Sequence, residues 1–171
     1  MEFRDLLNQR YSVRKYSNKE VENEKIERIL DAGRIAPTAV NAQPQRFLVL
    51  RTEEALKKFD EVSRMRYGAP VVIVVLGDKD HVWKSSIEEG YNSLEMDASI
   101  ACTYMMLETV NQGLGCVWVR YFNSEELRNK FDLSENLKPI CVLPVGYPSD
   151  DSTPAEKHSI RNNLEDIVTY M

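Results

Sequence analysis

Arg10-Tyr11-Ser12-Val13-Arg14-Lys15 places two guanidiniums four residues apart around a hydroxyl. A guanidinium pairs bidentately with phosphate, and a serine hydroxyl with nearby turn amides can complete an anion's coordination. Falling just after a short helix, the same cluster would also satisfy the carbonyl end of that helix's dipole. A second segment, Ala36-Pro37-Thr38-Ala39-Val40-Asn41-Ala42-Gln43-Pro44, brackets Thr38, Asn41 and Gln43 between two prolines. Primary amides offer a donor and an acceptor side by side, which suits an imide or a polyol. Thr38 and Asn41 also suit a turn that bonds its own backbone. The third segment is Gly113-Leu114-Gly115-Cys116-Val117-Trp118-Val119-Arg120-Tyr121-Phe122. Its glycines follow a helical pattern and precede a strand, the reverse of the dinucleotide fingerprint, so a Rossmann domain is rejected and a tight helix-to-strand turn expected. Trp118 and Tyr121 offer flat surface either to an aromatic ligand or to a core. Lys157 and Arg161 lie in an otherwise acidic tail, where they could close over an anion or stand as surface charge.

The elements that must position these groups follow from apolar spacing. Residues 2–9 read as a short helix, and Glu22 to Ile35 as an amphipathic one carrying Ile26, Ile29, Leu30, Gly33 and Ile35 on one side; Pro37 ends it. Residues 46–51 predict a strand, 53–62 a short helix, and Val71–Leu76 the strongest strand, bounded by Pro70 and Gly77. Ser86 to Gln112 predicts one long helix with two apolar stripes, one through Ile87, Tyr91, Leu94, Ala98, Ala101 and Met105, the other through Met96, Ile100, Thr103 and Leu107. A helix this apolar is expected to be central and buried, stopping at Gly113. Cys116–Tyr121 predicts a strand, Ser124–Phe131 a helix capped by Ser124, and Pro139–Val145 a strand turned by Gly146-Tyr147-Pro148. Leu164-Glu165-Asp166-Ile167-Val168 is expected to pack or pair somewhere. About four strands and five helices in mixed order give an α+β fold in a single domain over residues 1–171.

Composition narrows the function. With 171 residues, 43% hydrophobic and 29% charged, the chain can bury a real core and is neither disordered nor fibrous. A net charge of −5 excludes a nucleic-acid binder working by bulk charge. Residues 1–66 hold 14 Lys and Arg against 11 Asp and Glu, whereas residues 67–171 hold 8 against 16. The mildly basic front suggests a local anion site. The longest apolar run, Ala69–Leu76, is too short to span a bilayer, and no basic-then-apolar leader opens the chain, so a cytoplasmic location is expected. Cys102, Cys116 and Cys141 lie in apolar stretches and read as buried thiols. Only His81 and His158 are present, without metal-ligand spacing, so no metal site and no histidine triad is expected.

Taken in order, these stretches resemble the FMN-dependent nitroreductase family over about residues 3–168. The resemblance rests on Arg-x-Ser-x-Arg at 10–14, Pro-Thr-x-x-Asn-x-Gln-Pro at 37–44 and Ala-Pro-Val-Val-Ile-Val-Val at 69–75. Met96-Asp97-Ala98-Ser99-Ile100-Ala101, Gly113 to Trp118, Val145-Gly146-Tyr147-Pro148 and Arg161-x-x-Leu164-Glu165-Asp166-Ile167-Val168 complete it. The resemblance implies a mixed or antiparallel sheet of four to five strands surrounded by helices, in an entwined homodimer with FMN in a groove at the subunit interface. Arg10, Ser12 and Arg161 would hold the phosphate beside the Tyr11 backbone, and Arg14 the ribityl chain or pyrimidine edge. Pro37, Thr38, Ala39, Asn41 and Gln43 would come from the partner subunit, and Val119, Arg120 and Tyr121 would end the strand facing the flavin N5. No side chain need act as acid or base. The implied activity is hydride transfer from NADH or NADPH through FMN to an electron-poor acceptor, a nitroaromatic or quinone, by a ping-pong mechanism. Two features depart from the pattern: Arg120 and Tyr121 stand where many members have small residues, and residues 76–86 leave little room for a lid, so His81 and Trp83 either substitute for one or simply pack. An FMN storage protein, or a dehalogenating or flavin-fragmenting relative on the same scaffold, is the alternative.

Overall fold

A computed structural model describes residues 2–171. Its centre is β2 (Val71–Asp78), a β-branched run buried along its whole length. Side chains alternate across a strand, so Val71, Ile73 and Val75 enter one core while Val72, Val74 and Leu76 enter another. A strand buried on both faces has no room for the polar alternation of a half-exposed one. Its neighbours are β1 (Gln45–Leu50) and β4 (Leu137–Gly146), with the short β3 (Gly115–Cys116) beyond β4. The order is β1-β2-β4-β3 and every pairing is antiparallel.

Helices cover both faces. α2 (Asn23–Arg34) and α4 (Leu94–Asn111) pack Ile26, Ile29, Leu94, Ala98, Cys102 and Met105 on one side. α3 (Glu53–Asp60) and α5 (Ser124–Lys130) bring Phe59 and Leu127 to the other, and α1 (Phe3–Gln9) lies outside both cores. α4 ends as the sequence indicates: Gly113, at φ +73°, donates to Val110 O and Leu114 N–H to Thr109 O, a Schellman closure. Among the described residues no helix is long and apolar enough to cross a membrane.

Several local expectations need correction. Ile35, expected on the buried side of α2, is its C-cap and is exposed. The long helix begins at Leu94, not Ser86, because the Ser85 hydroxyl takes the amides of Ile87 and Glu88 into a local turn. Gly90 then turns the chain at φ +80°, leaving Ile87 97% exposed. The strand expected over 116–121 is regular only at Gly115–Cys116, with Val119 returning to Val142 in an isolated bridge. Asn123, not Ser124, caps α5: its Oδ1 accepts the amides of Glu125 and Glu126, while the Ser124 hydroxyl donates to Pro139 O. Within one chain α4 is not buried all round, since Met96 and Tyr104 are exposed and Ile100 and Leu107 half-buried. The tail makes no strand, and Leu164 and Ile167 are exposed.

One polar hub ties the β1–β2 end to the loop before β4. The buried Asp78 carboxylate accepts from Arg46 NH2 (2.9 Å), from Asn136 Nδ2 (2.8 Å) and from the Asp80 amide (3.1 Å), and lies 2.8 Å from His81 Nδ1. Trp83 packs edge-on against Tyr91 at 6.2 Å. His81 and Trp83 thus both have partners within the chain.

Candidate functional site

Residues 10–16 run beside β3, joined to it and to the chain after β4 by isolated bridges at Ser12 and Tyr16. Ser12 forms a parallel bridge with Cys116, and the buried Val13 donates its amide to Cys116 O at 3.0 Å. Gly115 makes this approach possible: a Cβ there would stand 2.4 Å from Val13 Cγ2 and 3.0 Å from Pro148 Cγ. The Tyr16 phenol, 2.9 Å from Val13 O and 3.2 Å from Pro144 O, fastens the segment to β4, and burial pushes its pKa far up. Ser149 N–H donates to Lys15 O, and the Tyr11 phenol meets Ser152 O and Oγ at 3.3 and 3.2 Å. His158 stacks edge-on against Tyr11 at 6.4 Å. The basic motif, the glycine turn and the start of the tail therefore converge. Gly115→Ala is expected to lower stability by about 1–3 kcal/mol by overpacking this junction, measured by urea unfolding; wild-type stability would show that Val13 and Pro148 yield freely.

The charges at this junction are unequally spent. Lys15 pairs with Asp151 at 2.6 Å. Arg14 reaches only the Ser12 carbonyl, at 3.4 Å. Arg10 is half-buried, and among the described residues its guanidinium meets neither a carboxylate nor a hydrogen-bond acceptor. A partly desolvated cation without a counter-charge costs free energy that an anionic ligand would offset. Beside it, burial pushes the Cys116 thiol up to about 12, against the opposing pull of Thr109 and of Arg10. That thiol is protonated at neutral pH and is no nucleophile. Arg161 is exposed and folds onto the carbonyls of His158 and Ile160. It lies three residues beyond His158, which packs on Tyr11, and makes no hydrogen bond to Arg10 or Ser12.

The 37–43 segment sits elsewhere. The Ala39 amide donates to Asp97 Oδ1 at 2.9 Å, near the start of α4, and the Gln43 amide to Thr38 Oγ1 at 3.0 Å. Pro37 is exposed, as are Asn41 and Gln43, whose side-chain amides are left almost unused: Gln43 Nε2 reaches Asn41 O at 3.4 Å. Cys116, by contrast, lies by Thr109, near the other end of α4. Twelve helical residues separate Asp97 from Thr109, about 18 Å at 1.5 Å per residue. The two polar sets picked out in the sequence are thus held apart within one chain.

Val119 exchanges both backbone hydrogen bonds with Val142 at 2.9 Å. Arg120 donates to Phe122 O and Ser124 Oγ, and stacks over the Phe122 ring. Tyr121 is 77% exposed while its carbonyl accepts from the buried Ser63 hydroxyl at 3.2 Å. Ser63, Arg64, Arg120, Tyr121 and Asn123 line a groove of about 760 Å³ there. Sequence reasoning missed both Ser63 and the role of Asp97. Ser63 carries no readable signal; Asp97 does, as an acid among the apolar positions of α4.

The nitroreductase family model matches residues 7–66 and 63–147. The chain belongs to the nitroreductase family. A nitroreductase family protein of Clostridium difficile 630 is 42% identical, superposes with a TM-score of 0.92, and is matched over 99% of this chain and 98% of that one. A relative from Methanothermobacter thermautotrophicus, provisionally named an NADH dehydrogenase/NAD(P)H nitroreductase, is 35% identical over 88% of this chain and 80% of its own length. A protein of Exiguobacterium sibiricum solved in complex with FMN shares the fold at 20% identity and a TM-score of 0.86, over the whole of this chain and 98% of that one. The antiparallel four-stranded sheet with its five helices is this chain's version of that fold.

Proposed function

We propose that this member of the nitroreductase family is an NAD(P)H-dependent oxidoreductase that holds FMN between two copies of the chain. Its acceptor is an electron-poor molecule such as a nitroaromatic or quinone, reached by ping-pong turnover. The half-buried Arg10 guanidinium without an anion carries the reading, because it fits a terminal phosphate. The separation of the two polar sets by about 18 Å of α4 supports a groove completed by a second copy. The uncovered strip of Met96, Ile100, Tyr104 and Leu107 supplies an apolar face for that copy.

In this arrangement Arg10, Ser12 and the Tyr11 backbone hold the phosphate, with Arg161 turning from its own carbonyls to close over it. Arg14, paired with no carboxylate among the described residues, sets positive charge beside the ribityl chain or the ring's pyrimidine edge, which favours electron uptake electrostatically. Thr38, Asn41 and Gln43 of the second copy, with Pro37 and Ala39, present amides to the ring. The Val119–Tyr121 backbone lines its reactive edge, and Tyr121 offers an exposed aromatic face to an incoming acceptor. FMN, when bound, supplies two-electron transfer at N5, so no side chain has to move a proton. Reductant and acceptor then take turns on one face.

The purified protein is expected to be yellow, to bleach on anaerobic addition of NADH or NADPH, and to recover colour with a nitroaromatic. A yellow protein that never bleaches would make it a storage protein. A colourless one that takes up no added FMN would end the flavin reading. Dilution below the dimer's dissociation constant should release the flavin in step with monomer formation; a monomer that retains it would contradict the shared groove.

A further inference from the structure

The 38–43 segment is strained, and something must hold it. Val40, Asn41 and Gln43 take φ of 48°, 57° and 51°. Asn tolerates the left-handed region, but for the β-branched Val40 it is a genuine outlier. Val40 is also 77% exposed, so no packing of its own side chain compensates. Such strain persists only where the surroundings over-determine it, and it gathers at ligand sites. Within the segment Asn41 N–H donates to Thr38 O, Ala42 N–H to Ala39 O and Gln43 N–H to Thr38 Oγ1, while Arg46 NH1 donates to Gln43 O and Ala39 N–H donates to Asp97 Oδ1 on α4. Asp97 is 1% exposed, and its second oxygen accepts the hydroxyl of Ser93, itself 2% exposed, at 2.6 Å. Ser93 is fixed in turn by its amide on Trp83 O. A buried carboxylate locked at both oxygens, with one aimed at a loop amide, is a rigid post.

We infer that Asp97 is a positioning residue, which with Ser93 stores the 38–43 loop in the strained conformation that presents Asn41 and Gln43 to a ligand. This rests on the reading that the ligand is FMN. Asp97 touches no ligand itself; it acts through Ala39. The arrangement removes the ordering cost from the moment of binding, because the loop's freedom is lost on folding instead.

The test uses the full-length protein stripped of flavin and titrated with FMN. Asp97→Ala is expected to weaken FMN binding at least tenfold and to raise amide exchange at Ala39 and Gln43, with the amides of β2 and β4 unchanged. Asp97→Asn keeps an acceptor for Ala39 and a donor toward Ser93 Oγ, so it should restore binding to within about threefold of wild type. Val40→Gly, which removes the left-handed penalty, should recover part of the loss when added to Asp97→Ala. Should Asp97→Ala fail to fold, Thr38→Ala, which leaves the core untouched, is expected to loosen the Gln43 amide and weaken FMN binding in its place. FMN affinity within twofold of wild type in the folded Asp97→Ala protein, or in Thr38→Ala where that stands in for it, would overturn the inference. So would loss of binding in Asp97→Ala that neither Asp97→Asn nor Val40→Gly relieves. A wild-type protein that takes up no FMN defeats the flavin reading instead, while exchange at the Ala39 and Gln43 amides still decides whether Asp97 holds the loop.

Discussion

Arg10→Ala is expected to weaken FMN binding about 10- to 100-fold and leave the fold intact. A hydrogen bond to a charged group contributes about 1.5–3 kcal/mol, and each 1.4 kcal/mol is a factor of ten. The fold should survive because the Arg10 guanidinium has no ion pair or hydrogen bond to lose among the described residues, while its backbone amide, which donates to Leu6 O, is kept. Arg10→Lys should recover part of the affinity, as a point charge without the bidentate fork. Flavin fluorescence titration of both variants, with circular dichroism to confirm folding, makes the measurement. Retention of FMN by Arg10→Ala at wild-type affinity would place the phosphate elsewhere.

Asp78→Ala is expected to destabilise the protein by about 1–3 kcal/mol, the usual cost of leaving the donors around a buried acceptor unsatisfied. The carboxylate is buried and is the common acceptor for Asn136, the Asp80 amide, His81 and Arg46, so its loss strands several donors. Burial alone would raise the Asp78 pKa, but the hydrogen bonds from Asn136, Asp80 and His81, with the charge of Arg46, outweigh it and hold the pKa below the ordinary aspartate value of 3.8. A depressed folded pKa means that the unfolded chain takes up the proton first. The carboxylate's contribution is therefore complete above the unfolded value and is lost as pH falls through the folded one. Urea unfolding of wild type and Asp78→Asn between neutral and acidic pH should show a gap that is constant near neutrality and closes only in strong acid. A gap that does not change with pH would show that Asp78 acts through shape and not through charge.

The separation between what was readable and what was not follows the range of the interactions. β2 is legible because eight consecutive buried positions impose their own composition, and the end of α4 because Gly113 in the left-handed region is a local requirement. The missing first turns of α4 were not legible: Ser86 to Ser93 carry helical spacing, and only the Ser85 hydroxyl and the Lys84–Asn92 bridge withdraw them from the helix. The strand expected over 116–121 failed for a related reason. Apolar alternation says that residues could pair, while pairing needs a partner in register, and β4 offers Val119 only an isolated bridge.

Family membership, the chemistry-bearing residue types and most elements are legible along the chain, because these depend on side-chain identity and on spacings of a few residues. Only the folded arrangement shows that Arg10 lies beside Cys116 with no carboxylate paired to it among the described residues, that Asp97 reaches the Ala39 amide, and that α4 keeps the two polar sets apart. Those are contacts between residues 58 or more positions apart, and the physical reason they stay hidden is that many chain paths are compatible with the same local preferences. Only the closing of both cores around one sheet selects the path that brings such residues together.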